Sequence, residues 1–191
     1  FYDIDNDGDL DMFLGSKSDP SQPSWSGKVH FFLNLGTATQ PHFQLQTENL
    51  FQGIVGYNLA PAFGDVDGDG EVDAIIGDSN GYLHYFKGEG DLQFINMGLV
   101  ENVDLSGNSD PILMDADGDG DLELLVGELN GNVNFYEYME GQFIINQNIN
   151  FPDVEIMYTT LDHFDIDNDG DSEIIMGSWQ NGISIFDSQN G

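Results

Sequence analysis

DADGDGDLELLVG, from Asp115 to Gly127, is the stretch of sequence that decides the fold. Its first nine residues carry an acidic side chain at every second position, with glycine at the sixth. Consecutive apolar residues follow and lead to a closing glycine, which is typical of a strand that is covered on both faces. The stretch therefore predicts a highly charged loop that runs directly into a buried strand.

Three further segments align with this stretch without a gap. The four copies occupy 3–15, 65–77, 115–127 and 165–177, with spacings of 62, 50 and 50 residues. Each copy is followed by a turn that contains a second glycine and by further short apolar runs, and no segment shows a sustained helical period. About four short strands in each repeat of roughly 40–50 residues is the pattern of a propeller blade.

We therefore predict an all-β fold made of β-propeller blades, each a four-stranded antiparallel sheet. The repeats fall approximately at 1–48, 49–98, 99–148 and 149–191. The first repeat opens inside its acidic motif, so we expect the chain to be a segment of a larger propeller whose neighbouring blades lie outside this sequence. A closed four-bladed ring is the alternative, and it requires the two incomplete end blades to merge.

The composition excludes several classes of partner. The 191 residues include 35 Asp and Glu against three Lys and no Arg, which gives a formal net charge of −32. Such a surface repels nucleic acid and anionic lipid, so we expect no nucleic-acid binding. The absence of cysteine excludes a disulfide framework, and no apolar run reaches the ~18 residues of a membrane helix, so we expect no membrane insertion.

The acidic loops have the chemistry of calcium sites. Ca²⁺ takes about six to eight oxygen ligands, whereas Mg²⁺ demands stricter octahedral geometry and zinc prefers Cys and His. Alternate residues of a tightly curled loop can all point inward, and glycine at position 6 permits the sharp turn. We expect positions 1, 3 and 5 to bind through carboxylates, position 7 through its carbonyl and position 9 directly or through water, with about four Ca²⁺ ions in all. The predicted metal ligands are Asp3, Asp5, Asp7, Asp9, Asp11, Asp65, Asp67, Asp69, Glu71, Asp73, Asp115, Asp117, Asp119, Asp121, Glu123, Asp165, Asp167, Asp169, Asp171 and Glu173.

Two other interpretations of the loops are weaker. An EF-hand needs a Glu at position 12, where these segments carry apolar residues, and it exits into a helix rather than a strand. An acidic turn that binds nothing leaves several carboxylates within a few ångströms of one another, and these cannot all stay ionised without a cation. The motifs hold 20 of the 35 acidic residues, so most of the composition depends on their role.

The chain resembles the FG-GAP and VCBS repeats, which are calcium-binding propeller blades of integrin α-subunits and of many bacterial secreted proteins. The resemblance rests on the four acidic loops, the apolar run to glycine, the NG-type turns and the Phe63-Gly64 pair in LAPAFGDVDGDG (59–70). It implies calcium loops between the first and second strands of each blade, and a ring of six to eight blades. It also implies a partner-binding face opposite the calcium loops, which would contain residues 16–26, 47–58, 78–80, 128–130 and 178–181.

Three functions compete at this point. The favoured one is a non-catalytic calcium-binding module for binding or adhesion, extracellular or at the cell surface, whose partner is a protein or a neutral glycan. A lectin is the second, because the two tryptophans, Trp25 and Trp179, both fall in turns of the partner face. The third is a non-catalytic part of a polysaccharide-degrading enzyme. We expect no catalytic residues in this chain, because a lyase acting on acidic sugars needs cationic groups that this composition lacks.

Overall fold

The computed structural model describes residues 1–18, 26–103, 105–146, 157–170, 172–179 and 182–186. These residues form fourteen β-strands in four antiparallel sheets and no helix. The first sheet contains β1 (Met12–Gly15), β2 (Val29–Asn34) and β3 (Phe43–Thr47). The second contains β4 (Ala60–Gly64), β5 (Asp73–Gly77), β6 (Leu83–Gly88) and β7 (Phe94–Leu99). The third contains β8 (Asp110–Met114), β9 (Glu123–Gly127), β10 (Val133–Met139) and β11 (Gln142–Ile145). The fourth contains β12 (Thr159–Phe164), β13 (Glu173–Ser178) and β14 (Gly182–Phe186).

Within each sheet the strands are neighbours in the order in which they occur along the chain. This simple meander, repeated four times, is the arrangement of propeller blades and confirms the predicted fold class. The two middle sheets have four strands and the two end sheets have three among the described residues. The repeat boundaries and the larger ring remain predictions.

In the second and third sheets, the apolar run after the acidic loop forms the most deeply buried strand. In the first sheet the corresponding strand β1 is less buried than β2, and its Leu14 is 52% exposed. In β9, Leu124, Leu125 and Val126 are all 0% exposed. Leu124 and Val126 pack into the core shared with the second sheet, whereas Leu125 packs into the core shared with the fourth. Successive side chains of a strand point to opposite faces, so a strand between two sheets must be apolar at every position.

Three hydrophobic cores lie between successive sheets. The core between the first and second sheets is rich in aromatic residues, with the rings of Phe13 and Phe63 at a centroid distance of 4.1 Å. The core between the second and third sheets includes Ile75 and Leu124, and the core between the third and fourth includes Phe135 and Met176. Each sheet is therefore stabilised chiefly by burying its faces against its neighbours.

The closing glycines of the first three motifs, Gly15, Gly77 and Gly127, permit close contact between sheets. A Cβ atom placed at Gly77 would overlap the carbonyl oxygen of Ser109, and one at Gly127 would overlap that of Thr159. The carbonyl of the residue after each glycine accepts a backbone N–H from the next sheet's segment. Ser16 accepts from Leu59 at 3.3 Å, Asp78 from Ser109 at 3.0 Å and Glu128 from Thr159 at 3.1 Å. Glycine is required there because a side chain would push the two backbones apart.

With respect to membranes, the described residues contain no helix that is long and apolar enough to span a bilayer.

Candidate metal centres

Each acidic loop lies at the same end of its sheet. The loops of the second, third and fourth sheets connect β4 to β5, β8 to β9 and β12 to β13, and the loop at 3–11 leads into β1. The ninth residue of a loop is also the first residue of the buried strand in β5, β9 and β13. The fold therefore places all four loops at equivalent positions.

The structure brings together the carboxylates at positions 1, 3 and 9 of every loop. In each group, one oxygen from each of the three residues lies within 4.8 Å of the others. The groups are Asp3, Asp5 and Asp11; Asp65, Asp67 and Asp73; Asp115, Asp117 and Glu123; and Asp165, Asp167 and Glu173. Twelve of the predicted ligands thus lie in four compact oxygen clusters.

The carboxylate at position 1 organises the turn of the loop. In the second loop, Asp65 accepts the N–H of Asp69 at 3.1 Å and that of Gly70 at 2.9 Å. Gly70 has a φ of +92°, which L side chains rarely adopt, so glycine is needed at position 6. Position 4 is also left-handed in every loop, at Asn6, Gly68, Gly118 and Asn168. Only Asn and Gly occupy that position in the four loops, and these residues adopt the left-handed conformation most readily. This pattern was a signal for the conformation that the sequence analysis missed.

The carboxylate at position 9 ties the loop to the buried strand. It accepts the N–H of the residue at position 2, with distances of 3.3 Å from Ile4 to Asp11, 3.1 Å from Val66 to Asp73, 2.7 Å from Ala116 to Glu123 and 2.7 Å from Ile166 to Glu173. Asp11, Asp73 and Glu123 are at most 3% exposed. Burying a carboxylate this deeply is costly unless it is hydrogen-bonded or neutralised by a cation.

The carboxylates at positions 5 and 7 lie outside the three-oxygen groups. Position 5 accepts the N–H of position 7, from Asp9 to Asp7 at 3.0 Å, from Glu71 to Asp69 at 2.9 Å and from Asp121 to Asp119 at 2.9 Å. At position 7, Glu71 and Asp121 are exposed and Asp171 lies outside the described residues. At position 5 of the fourth loop, Asp169 is exposed. Metal binding by these positions remains a prediction.

Burial and mutual repulsion oppose ionisation of the clustered carboxylates. Burial raises the pKa of Glu123 to about 7, and the negative charges of Asp117, Asp119 and Asp115 raise it further. The hydrogen bond from the N–H of Ala116 lowers this pKa, but by less. Burial also raises the pKa of Asp73 and that of Asp11, although backbone N–H groups bonded to both carboxylates act in the opposite direction. A cation in the cluster would favour the ionised forms.

The donor set fits a hard divalent cation. Each described cluster offers carboxylate oxygens, which are the ligands that Ca²⁺ prefers. Asp67 Oδ1 and Asp9 Oδ1 are buried and have no hydrogen-bond partner. A buried carboxylate oxygen without a partner is unfavourable in the protein alone, and coordination of a metal ion would satisfy it.

One contact in the second loop was not foreseen. The Lys87 ammonium contacts Asp67 Oδ2 and also lies 2.6 Å from Asp69 Oδ2. The hydrogen bond from Lys87 lowers the pKa of Asp69, and the two carboxylates raise the pKa of Lys87. The repeats differ at this position, because the residues equivalent to Lys87 are Leu33 in the first sheet and Glu137 in the third. A lysine in one repeat alone is the sequence signal for this contact.

The end of the sheets opposite the loops holds one of the two tryptophans proposed as ligand-binding residues. Trp179 is 80% exposed, and its ring centroid lies 5.9 Å from that of Tyr158. Trp25 lies outside the described residues. In the same region Asp78 and Glu128 are buried and bonded within the chain, Asp78 to the N–H of Asn80 at 2.7 Å. The exposed aromatic pair, rather than these acids, is accessible to a partner.

Comparison with known proteins identifies the family of the chain. A search of curated proteins found no match. A family model described as FG-GAP-like repeat matches residues 3–76 and 115–176, which together exceed half of the chain and contain all four acidic loops. The recurrent sheets, the loop geometry and this match lead to one conclusion: the chain belongs to the FG-GAP-like repeat family.

Proposed function

We propose that this chain is a non-catalytic, calcium-binding β-propeller module for binding or adhesion outside the cell or at its surface. The observation that supports it is the fourfold recurrence of one carboxylate cluster, built from positions 1, 3 and 9. A single acidic cluster on a surface is weak support for a metal site. Four clusters with the same backbone hydrogen bond to position 9 support a metal site that is repeated in each sheet.

The proposed role of the ion is structural. A cation bound by positions 1, 3 and 9 would link the two ends of the loop and neutralise the buried carboxylate at the start of the second strand. Extracellular modules bind Ca²⁺ with Kd of about 10⁻⁴–10⁻³ M. At a tenfold excess over Kd each site would add about 1.4 kcal/mol to stability.

Thermal unfolding with Ca²⁺ and with a chelator tests this proposal. We expect Ca²⁺ to raise the melting temperature by about 10 °C if several sites contribute, and Mg²⁺ to raise it less. Asp117→Asn should reduce the gain, because it removes a clustered charge but keeps the shape of the side chain. Glu140→Gln, in an exposed turn between β10 and β11, is the matched control and should leave the gain unchanged.

Equal melting temperatures with Ca²⁺ and with chelator would overturn the calcium proposal. Equal losses in Asp117→Asn and Glu140→Gln would show that Ca²⁺ acts through general charge screening rather than at the clusters.

Binding of a neutral glycan is a second candidate for the partner. The exposed pair of Trp179 and Tyr158 supports it, because aromatic rings present apolar faces together with polar edges. We expect binding to neutral sugars on a glycan array to be lost in Trp179→Ala and retained in Tyr82→Ala, which removes an exposed aromatic residue from the turn of the second sheet. Binding that survives Trp179→Ala would contradict this candidate and leave a protein as the favoured partner.

A further inference from the structure

We propose that Lys87 is a built-in cation of the second acidic loop, and that it makes this loop the weakest calcium site of the four. The inference rests on the proposed calcium binding and goes beyond it by ranking the sites.

The position of the ammonium group is the first step. Lys87 Nζ contacts Asp67 Oδ2, and Asp67 belongs to the three-oxygen group with Asp65 and Asp73. The same nitrogen lies 2.6 Å from Asp69 Oδ2, so it bridges positions 3 and 5 of the loop. The side chains of Lys87 and Asp67 are only 25% and 18% exposed. The lysine therefore sits against the predicted metal ligands rather than in open solvent.

The fold fixes this position through the neighbouring strand. β6 pairs with β5, so Lys87 lies beside the start of the strand that carries Asp73. Asp73 Oδ1 accepts the N–H of Gly88 at 2.7 Å, which anchors the residue after Lys87 to the loop. The backbone thus holds the root of the lysine close to the cluster, and this lowers the conformational entropy cost of the contact.

The equivalent positions in two other sheets cannot act in this way. Leu33 in the first sheet has no charge, and Glu137 in the third is acidic and accepts a hydrogen bond from Asn146 Nδ2 at 2.6 Å. The other two lysines of the chain are elsewhere, since Lys28 lies 3.9 Å from Glu48 and Lys17 is exposed in the segment after β1. Among the described residues, then, the second loop is the one with a lysine at its cluster.

The consequence for calcium follows from charge. Lys87 occupies Asp67 Oδ2 and Asp69 Oδ2, so a Ca²⁺ ion that binds this cluster is repelled by the ammonium and weakens its two hydrogen bonds. The competing charge lowers the affinity, so we expect the second loop to bind Ca²⁺ about tenfold more weakly than the first and third. Without Ca²⁺ the lysine partly neutralises the loop and keeps it folded.

Calcium titration by calorimetry tests the ranking. We expect the wild type to show one weak site, which disappears in Asp67→Asn. In Lys87→Gln the weak site should tighten about tenfold and approach the others, because the competing cation is gone. Lys17→Gln changes the net charge by the same amount and should leave all affinities unchanged.

Melting in chelator provides the second measurement. Lys87→Gln should melt below both the wild type and Lys17→Gln, and saturating Ca²⁺ should remove the difference. Ca²⁺ binding with the same affinities in the wild type and Lys87→Gln would overturn this inference alone. No Ca²⁺ binding by any variant would overturn the proposed function as well.

Discussion

The second and third acidic loops share their length and the glycine at position 6, whose N–H bonds to the carboxylate at position 1. In both loops the carboxylate at position 9 accepts the N–H of position 2, yet the two loops balance their negative charge differently. In the second loop, Lys87 contacts two carboxylates, and Asp73 is bonded to several donors. In the third loop, the residue equivalent to Lys87 is Glu137, and Glu123 replaces aspartate at position 9. The two motifs differ only in which acid stands at positions 7 and 9 and in their apolar residues, so the neighbouring strand creates most of the difference.

This comparison teaches that the acidic motif alone does not set the charge balance of its loop. The second loop has an internal counter-charge, so its folding should depend less on a bound metal ion. The third loop lacks a contact of this kind among the described residues, and burial there raises the pKa of Glu123 to about 7. The third loop should therefore depend more on a bound cation, and four measurements test that difference.

The largest effect is expected from removing the carboxylate at position 9. Asp73 accepts the N–H of Val66 at 3.1 Å, the N–H of Gly88 at 2.7 Å and the hydroxyl of Tyr85 at 3.3 Å. Asp73→Ala leaves three donors without this partner and should cost about 3 kcal/mol or more in chelator. Glu123→Ala should cost about 1 kcal/mol, because its loss also relieves repulsion.

Urea unfolding in chelator measures both values. Asp73→Asn, which keeps one acceptor oxygen, should fall between the wild type and Asp73→Ala. Equal losses for Asp73→Ala and Glu123→Ala would show that the two loops do not differ in their dependence on position 9.

The next effect concerns pH. The pKa of Glu123 is raised from 4.5 to about 7 in the folded, metal-free protein, so the fold favours the protonated carboxyl. Its contribution to stability is complete below about pH 4.5 and is lost as pH rises through about 7, which amounts to about 3 kcal/mol. Glu123→Gln should lose this part of the pH dependence in chelator, as measured by unfolding between pH 4.5 and 8.

The second loop provides the opposite sign. The hydrogen bond from Lys87 lowers the pKa of Asp69, so the stability that Asp69 contributes is present above the ordinary pKa of an aspartate and is lost as pH falls.

If Glu123→Gln has the same pH profile as the wild type, the third loop does not carry a carboxylate whose ionisation opposes folding.

Transplanting the lysine would convert the third loop into a copy of the second. Glu137→Lys should place an ammonium near Asp117 and Asp119, at the cost of the bond to Asn146. We expect Ca²⁺ affinity at the third loop to fall about tenfold, or about 1.4 kcal/mol, by calorimetric titration. Glu137→Gln is the control for the lost carboxylate, and an equal change in both variants would rule out the role of the positive charge.

The smallest effect is expected from salt. The Lys87 side chain is 25% exposed, so its ion pairs should weaken as ionic strength rises. In chelator, the gap in stability between the wild type and Lys87→Gln should be largest at low salt and should shrink by 0.5 M NaCl. A gap that is constant with salt, measured by melting, would mean that the lysine acts through packing of its alkyl chain.

The sequence by itself determined the repeat, the blade and the acidic clusters. Strand and loop follow from local spacing, because alternating acids with glycine at position 6 cannot enter a core and the apolar run cannot leave one. Leu124, Leu125 and Val126, which are read directly as a strand covered on both faces, are fully buried between two sheets.

The tertiary structure alone decided which oxygens meet and which loop carries its own cation. Positions 1, 3 and 9 converge because the chain turns back at Gly70 and its equivalents, whereas positions 5 and 7 bond to each other within the turn. Lys87 reaches Asp67, twenty residues away, only because β6 pairs with β5. Contacts of this kind depend on strand register and sheet packing, and local spacing does not encode them.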